Sequence, residues 1–153
     1  MRKYENKNNS LKKEKNLINR CLGIKNSEGL TLISQQIRNK KSENVAIYLR
    51  AKNFRSAEKL MRDLVENTKE LKNINLFIYI DIGFGKNINN KALDMLKNEI
   101  EKNIISKLII KDISEISKKL TNAMIFLKIA EVHNTQVISI DKSVEMFRPQ
   151  REL

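Results

Sequence analysis

Four short apolar runs, each followed or preceded by helix-like spacing, constrain this chain more than any other feature. They are Val45-Ala46-Ile47-Tyr48-Leu49, Leu76-Phe77-Ile78-Tyr79-Ile80, Leu108-Ile109-Ile110 and Val137-Ile138-Ser139-Ile140. Runs this short and this continuously apolar suit strands covered on both faces. Between them, Ala57, Leu60, Met61, Leu64, Val65 and Leu71 recur at helical spacing and predict a helix over 54–72. Ala92, Leu93, Leu96 and Ile100 predict a second helix over 90–102. Ile116, Leu120, Ala123, Met124, Leu127 and Ala130 predict a third, with Ser114 as its cap. Strands alternating with helices imply a three-layer α/β domain with a mostly parallel sheet of four or five strands. Those strands are expected near 45–50, 75–81, 107–111 and 136–141.

The 153 residues fit one domain, and 41% apolar content fills one core. Four glycines and one proline argue against a turn-rich all-β fold. Lone Cys21 has no cysteine partner and no metal-ligand spacing around it, so neither a disulfide nor a metal site is expected. A reducing, cytoplasmic setting follows from that usage. No apolar run approaches the length of a membrane span, and no apolar segment follows the basic N-terminus as a secretory signal requires.

The net charge of +12 is unevenly spread. Residues 1–44 hold 11 basic and 4 acidic side chains, against 19 and 14 in the rest. Residues 1–16 are poor in apolar side chains and read as disordered. Residues 17–43 read as one or two short helices interrupted by Gly23 and Gly29. The segment 1–44 is therefore expected to be a basic extension, 45–142 the α/β domain, and 143–153 a short charged tail. Deleting 1–43 is expected to leave the domain folded. An excess of Lys and Arg on a tail suits a polyanion, above all nucleic acid, through Lys12, Lys13 and Lys15. A Lys- and Asn-rich composition also arises from an AT-rich genome without any such role.

In parallel sheets, sites form at the carboxyl ends of the strands. Here those ends carry Arg50 and Lys52, Asp81, Asp112 and Asp141. A phosphoacceptor site needs an acidic pair after the first strand to hold Mg²⁺, and this strand ends in cations. A dinucleotide site needs G-x-G-x-x-G after the first strand, whereas Gly83-Phe84-Gly85 follows the second. The three aspartates read either as a weak Mg²⁺ cluster or as helix caps and partners of Lys52 and Arg50. His133, near the end of the third helix, reads as structural, a cation favoured by the helix dipole. Phe84 and Gly85 read as loop formers.

One resemblance spans residues 45–141. Tyr48-Leu49-Arg50-Ala51-Lys52 resembles the Y-x-R-x-S strand that opens the catalytic domain of serine recombinases (resolvases, invertases and transposon integrases). Asp81-Ile82-Gly83-Phe84-Gly85-Lys86-Asn87 resembles that family's D-x-G-aromatic-S-G-x-N loop, with the serine deleted. Lys111-Asp112-Ile113-Ser114-Glu115-Ile116-Ser117-Lys118 is similar to K-D-L-S-R-L-x-R. Thr135-Gln136-Val137-Ile138-Ser139-Ile140-Asp141 matches the last strand, G-V-x-V-x-S-x-D.

The resemblance implies a resolvase-like fold and a link to DNA recombination and mobile elements. In that family a serine attacks a DNA phosphate, and arginines hold the phosphate with their planar, permanently charged forks. Here the nucleophile position is Lys52. Arg50 is the one retained arginine; Asn90, Glu115 and Lys118 stand at the other arginine positions. A carboxylate against a phosphate costs about 4 kcal/mol at an effective dielectric near 20. A neutral Lys52 acting as nucleophile would need a depressed pKa and an arginine cluster to orient the phosphate. The chain therefore reads as a catalytically inactive member of that fold with no cofactor. DNA contact, weak and electrostatic, is expected through Arg50, Lys52, Lys86, Lys118 and the tail lysines. A homodimer, or pairing with an intact recombinase, is expected, and no membrane contact. The long dimer helix and the DNA-binding module of the family are expected to be mostly or wholly missing after Asp141. The alternative is a functional recombinase subunit or fragment that performs strand exchange with a partner chain.

Overall fold

The structure is a computed structural model that describes residues 22–26, 29–34, 42–83 and 90–141. The expectations for residues 1–16, with Lys12, Lys13 and Lys15, for Cys21, for Phe84, Gly85 and Lys86 and for the C-terminal tail lie outside the described residues.

The four apolar runs form the strands β3 (Glu43–Ala51), β4 (Ile74–Gly83), β5 (Lys107–Ile110) and β6 (Gln136–Ser139). They pair in parallel: β3 lies between β4 and β5, and β6 lies outside β5. Two further strands, β1 (Leu22–Asn26) and β2 (Gly29–Ile33), form an antiparallel pair. β2 pairs antiparallel with β4, so among the described residues the sheet has six strands in the order β1-β2-β4-β3-β5-β6. Leu22–Asn26 and Gly29–Ile33 are thus strands and not the short helices expected for them. Leu30-Thr31-Leu32-Ile33 gains more by pairing with β4 than by helix: Thr31, Leu32 and Ile33 are all buried there. The sheet begins inside the segment read as an extension.

Alternate side chains along each strand point to opposite faces of the sheet. Val45, Ile47, Leu49, Ile78, Ile80 and Ile82 face one way and pack on Ala57, Met61 and Leu64 of helix α1 (Phe54–Glu66). Ala46, Tyr48, Phe77, Tyr79, Leu108 and Ile110 face the other way. They pack on Ala92, Leu96 and Ile100 of α2 (Lys91–Glu101) and on Ala123, Phe126 and Ala130 of α3 (Leu120–Val132). That is the expected three-layer architecture.

α1 stops at Glu66, short of the expected residue 72. The N–H of Asn67 turns back to the Leu64 and Val65 carbonyls, and the Thr68 hydroxyl donates to the Val65 carbonyl at 2.6 Å. The third helix starts at Leu120 and not near Ser114. Residues Ile113–Glu115 form a separate 3₁₀ turn capped by Asp112, whose Oδ1 accepts from the Ile113 N–H at 2.8 Å. Ser114 donates to the same carboxylate at 2.7 Å.

Three asparagines make the turns from helix to strand. Asn73, Asn103 and Asn134 have φ of 57°, 61° and 58°. Asparagine tolerates this left-handed region better than most residues. After α2, Asn103 N–H bonds Ile100 O and Ile104 N–H bonds Glu99 O, and the same pattern recurs with Asn134 and Thr135 after α3. Part of the Asn-rich composition thus has a structural role, and it explains how the chain manages with four glycines.

Candidate functional site

The carboxyl ends of β3 and β4 lie side by side, with Arg50 paired to Asp81 in the strand register. Asp81 is fully buried, and four donors surround it. The Tyr48 hydroxyl donates to its Oδ2 at 2.8 Å, and the Thr31 hydroxyl to its Oδ1 at 3.3 Å. The N–H groups of Ala92 and Leu93 donate at 2.8 and 3.1 Å. The last two are free donors of the first turn of α2, so a strand residue caps that helix from a distance. Burial raises the Asp81 carboxyl above its ordinary range, while the Ala92 and Tyr48 bonds pull the other way. Tyr48 is raised well above the usual phenol range by its own burial and by the charge of Asp81.

Above this buried pair sits Arg50. Its guanidinium donates to the Tyr48 hydroxyl at 3.3 Å and, more closely, to the Asn90 side-chain oxygen. Asn90 is the N-cap residue of α2, and its side chain makes no cap bond there because it is turned to Arg50. Glu115 comes in from the 3₁₀ turn. Its carboxylate lies in the field of Lys111 and of Arg50 and near the Arg50 backbone. Burial nevertheless holds the Glu115 carboxyl above its ordinary range. Arg50 Nε is buried without a hydrogen-bond partner.

Of the residues singled out in the sequence, the fold brings together Arg50, Asn90 and Glu115. Lys52 is exposed one residue before Asn53, the cap of α1, whose side chain accepts the Ser56 N–H at 2.8 Å. Lys118 is exposed between the 3₁₀ turn and α3. Neither lysine reaches Arg50 through a hydrogen bond or ion pair among the described residues. Asp81, Asp112 and Asp141 do not form a cluster. Asp81 and Asp112 are caps, and Asp141 follows β6 with its N–H on the Lys111 carbonyl at 3.0 Å. Among the described residues no three His, Cys, Asp or Glu side chains stand close enough to share a metal ion. His133 caps α3, and its Nδ1 lies 2.9 Å from the Asn103 side-chain oxygen, joining two helix ends. Sequence reasoning missed Thr31, Tyr48 as partner of Asp81, and Lys111. A tyrosine inside an otherwise aliphatic strand was the available signal, since a buried hydroxyl needs a partner.

The arrangement holds one arginine whose fork is already engaged by an amide and set beside a carboxylate.

No protein-family model and no curated protein matches the chain in sequence. Solved structures match its fold. The N-terminal catalytic domain of TP901-1 integrase superposes with a TM-score of 0.55 at 18% identity, over 69% of this chain and 88% of its own. A resolvase family site-specific recombinase from Streptococcus pneumoniae gives 0.52 at 15% identity, over 69% and 83%. The C-terminal catalytic domain of ISC1926 TnpA, an IS607-like serine recombinase, gives 0.52 at 16%, over 68% and 74%. The chain has the resolvase-like fold of serine-recombinase catalytic domains. At these identities the likeness is one of fold, and the chemistry rests on the residues at the strand ends. No helix among the described residues is long and apolar enough to cross a membrane.

Proposed function

We propose that this chain is a non-catalytic domain of serine-recombinase fold that associates with DNA, alone or beside an intact recombinase of a mobile element. The observation that carries the reading is the state of Arg50. Its guanidinium is bound by Asn90 and Tyr48, and the Glu115 carboxylate lies in its field. Phosphoryl transfer depends on cationic donors aimed at the charge that builds up on the phosphate. Here the donors are turned inward. At the nucleophile position Lys52 offers a cation that is exposed and makes no contact with Arg50.

Purified protein incubated with supercoiled plasmid tests the reading. The expected result is no nicked or recombined plasmid and no covalent protein–DNA adduct, with Lys52→Ser equally inactive because Asn90 and Glu115 are unchanged. A covalent adduct on the wild-type protein overturns it.

A further inference from the structure

The outer face of α1 carries its charges against the direction that helix stability favours. A helix N-terminus is electropositive and its C-terminus electronegative, so acids belong in the first turn and bases in the last. α1 has no acid in its first turn and no base in its last. Arg55 stands in the first turn, with Lys52 just ahead of it, and Asp63 and Glu66 stand at the far end. Glu66 is taken up by Lys69 at 2.7 Å. Arg55, Lys59 and Arg62 follow one another at four- and three-residue spacing, which stacks them on one side of a helix. Together with Ser56 and Glu58 they line an open groove. Arg55 and Lys59 are exposed and Arg62 is half-exposed. The face opposite them, through Ala57, Met61 and Leu64, is buried on the sheet. Glu58, three residues from Arg55 and four from Arg62, offsets one of the three cations on this side, and the remaining excess of two positive charges toward the positive end of the helix suits an external anion.

We infer that this face of α1 is a contact surface for the phosphate backbone of duplex nucleic acid, separate from Arg50. The inference rests on the DNA association proposed above and gives it a place on the molecule. The seven steps from Arg55 to Arg62 advance about 10 Å along the helix axis. One strand of a duplex presents a phosphate every ~3.4 Å of axis, so roughly three phosphates lie within that reach. Two of the three cations are arginines, whose forks suit phosphate oxygens. An anionic membrane is the poorer fit, because Phe54 is the one exposed large apolar side chain on the whole of α1.

The test is a binding titration of the full chain against a short duplex of mixed sequence over a range of salt. The variant Arg55→Gln/Lys59→Gln/Arg62→Gln is compared with Lys97→Gln/Lys102→Gln/Lys128→Gln, which removes the same charge from α2 and α3 across the sheet. The first should bind at least about tenfold more weakly at low salt and flatten the log–log salt slope by about 2.7, at 0.9 per phosphate. The second should change the slope by much less. Circular dichroism checks the fold of each. If the half-buried Arg62 proves necessary for folding, Arg55→Gln/Lys59→Gln should flatten the slope by about 1.8. A wild-type slope in the folded α1 variant, or an equal loss in both variants, overturns the surface while leaving DNA association standing. Absence of duplex binding by the wild-type chain overturns both.

Discussion

Glu115 shows how a half-buried carboxylate can leave a trace in stability. Its carboxyl is raised by burial, against the pull of Lys111 and Arg50. A group raised in the fold holds its proton more tightly there than in the unfolded chain. Its stabilising contribution is present below the unfolded value of about 4 and is lost as pH rises through the folded value. A glutamine side chain at this position would not titrate. Urea unfolding at a series of pH values should therefore show Glu115→Gln gaining stability relative to wild type as pH climbs from about 4 to about 7. A difference that stays constant across that range would mean that Glu115 titrates as an ordinary glutamate. Asp81 is raised in the same direction, but it is present in both proteins and cancels in the comparison.

Among the elements, β2 depends most on one residue. Gly29 has φ +158°, and a Cβ added there would lie 1.8 Å from the Ile82 carbonyl oxygen of β4. No side chain can yield enough to relieve a contact with backbone. Gly29→Ala should lower stability by about 3 kcal/mol, the upper end of the cost of overpacking, measured by chemical denaturation. A loss below about 0.5 kcal/mol would show that β2 does not hold this register against β4. α3 illustrates the opposite case. Leu120, Met124, Ile125 and Val132 are exposed on it while Ala123, Phe126 and Ala130 are buried, so an almost uniformly apolar helix is covered on one side.

For the whole molecule, the six-stranded sheet changes where the basic segment can be cut. Removing residues 1–43 would take away β1 and β2, uncover the edge of β4 and delete buried Leu32 and Ile33. It would also remove the Thr31 hydroxyl from Asp81. On these contacts the truncation is expected to unfold the domain, contrary to the reading from sequence. Deleting residues 1–21 spares both strands and removes seven basic and two acidic side chains. The shorter protein should keep its cooperative thermal unfolding. If the tail contacts duplex DNA, its salt slope should be flatter than that of the full chain by about 0.9 for each lost phosphate contact. An unchanged slope would assign the tail no part in binding. Deletion of 1–43 should instead give a protein with no cooperative transition.

The sequence by itself determined the four parallel strands, the three helices between them and the positions of Arg50, Lys52, Asn90 and Glu115 along the strand ends. Buried runs and helical spacing are local patterns, and strand ends follow from them. Residues 22–33 were not legible in that way. β2 is made by pairing with β4, fifty positions away for Thr31 and Asp81, and β1 by pairing with β2, and short segments carry too little periodicity to reveal such partners. The end of α1 and the start of α3 were set by Thr68 and Asp112 bonding nearby backbone, which competes with helix wherever such side chains occur. Only the tertiary structure decided that Asn90 faces Arg50, that Glu115 lies in the field of Arg50, and that Asp81 caps a helix. Those outcomes depend on which chain ends meet above the sheet, and hydrogen-bond partners brought together by folding leave no mark in the order of residues.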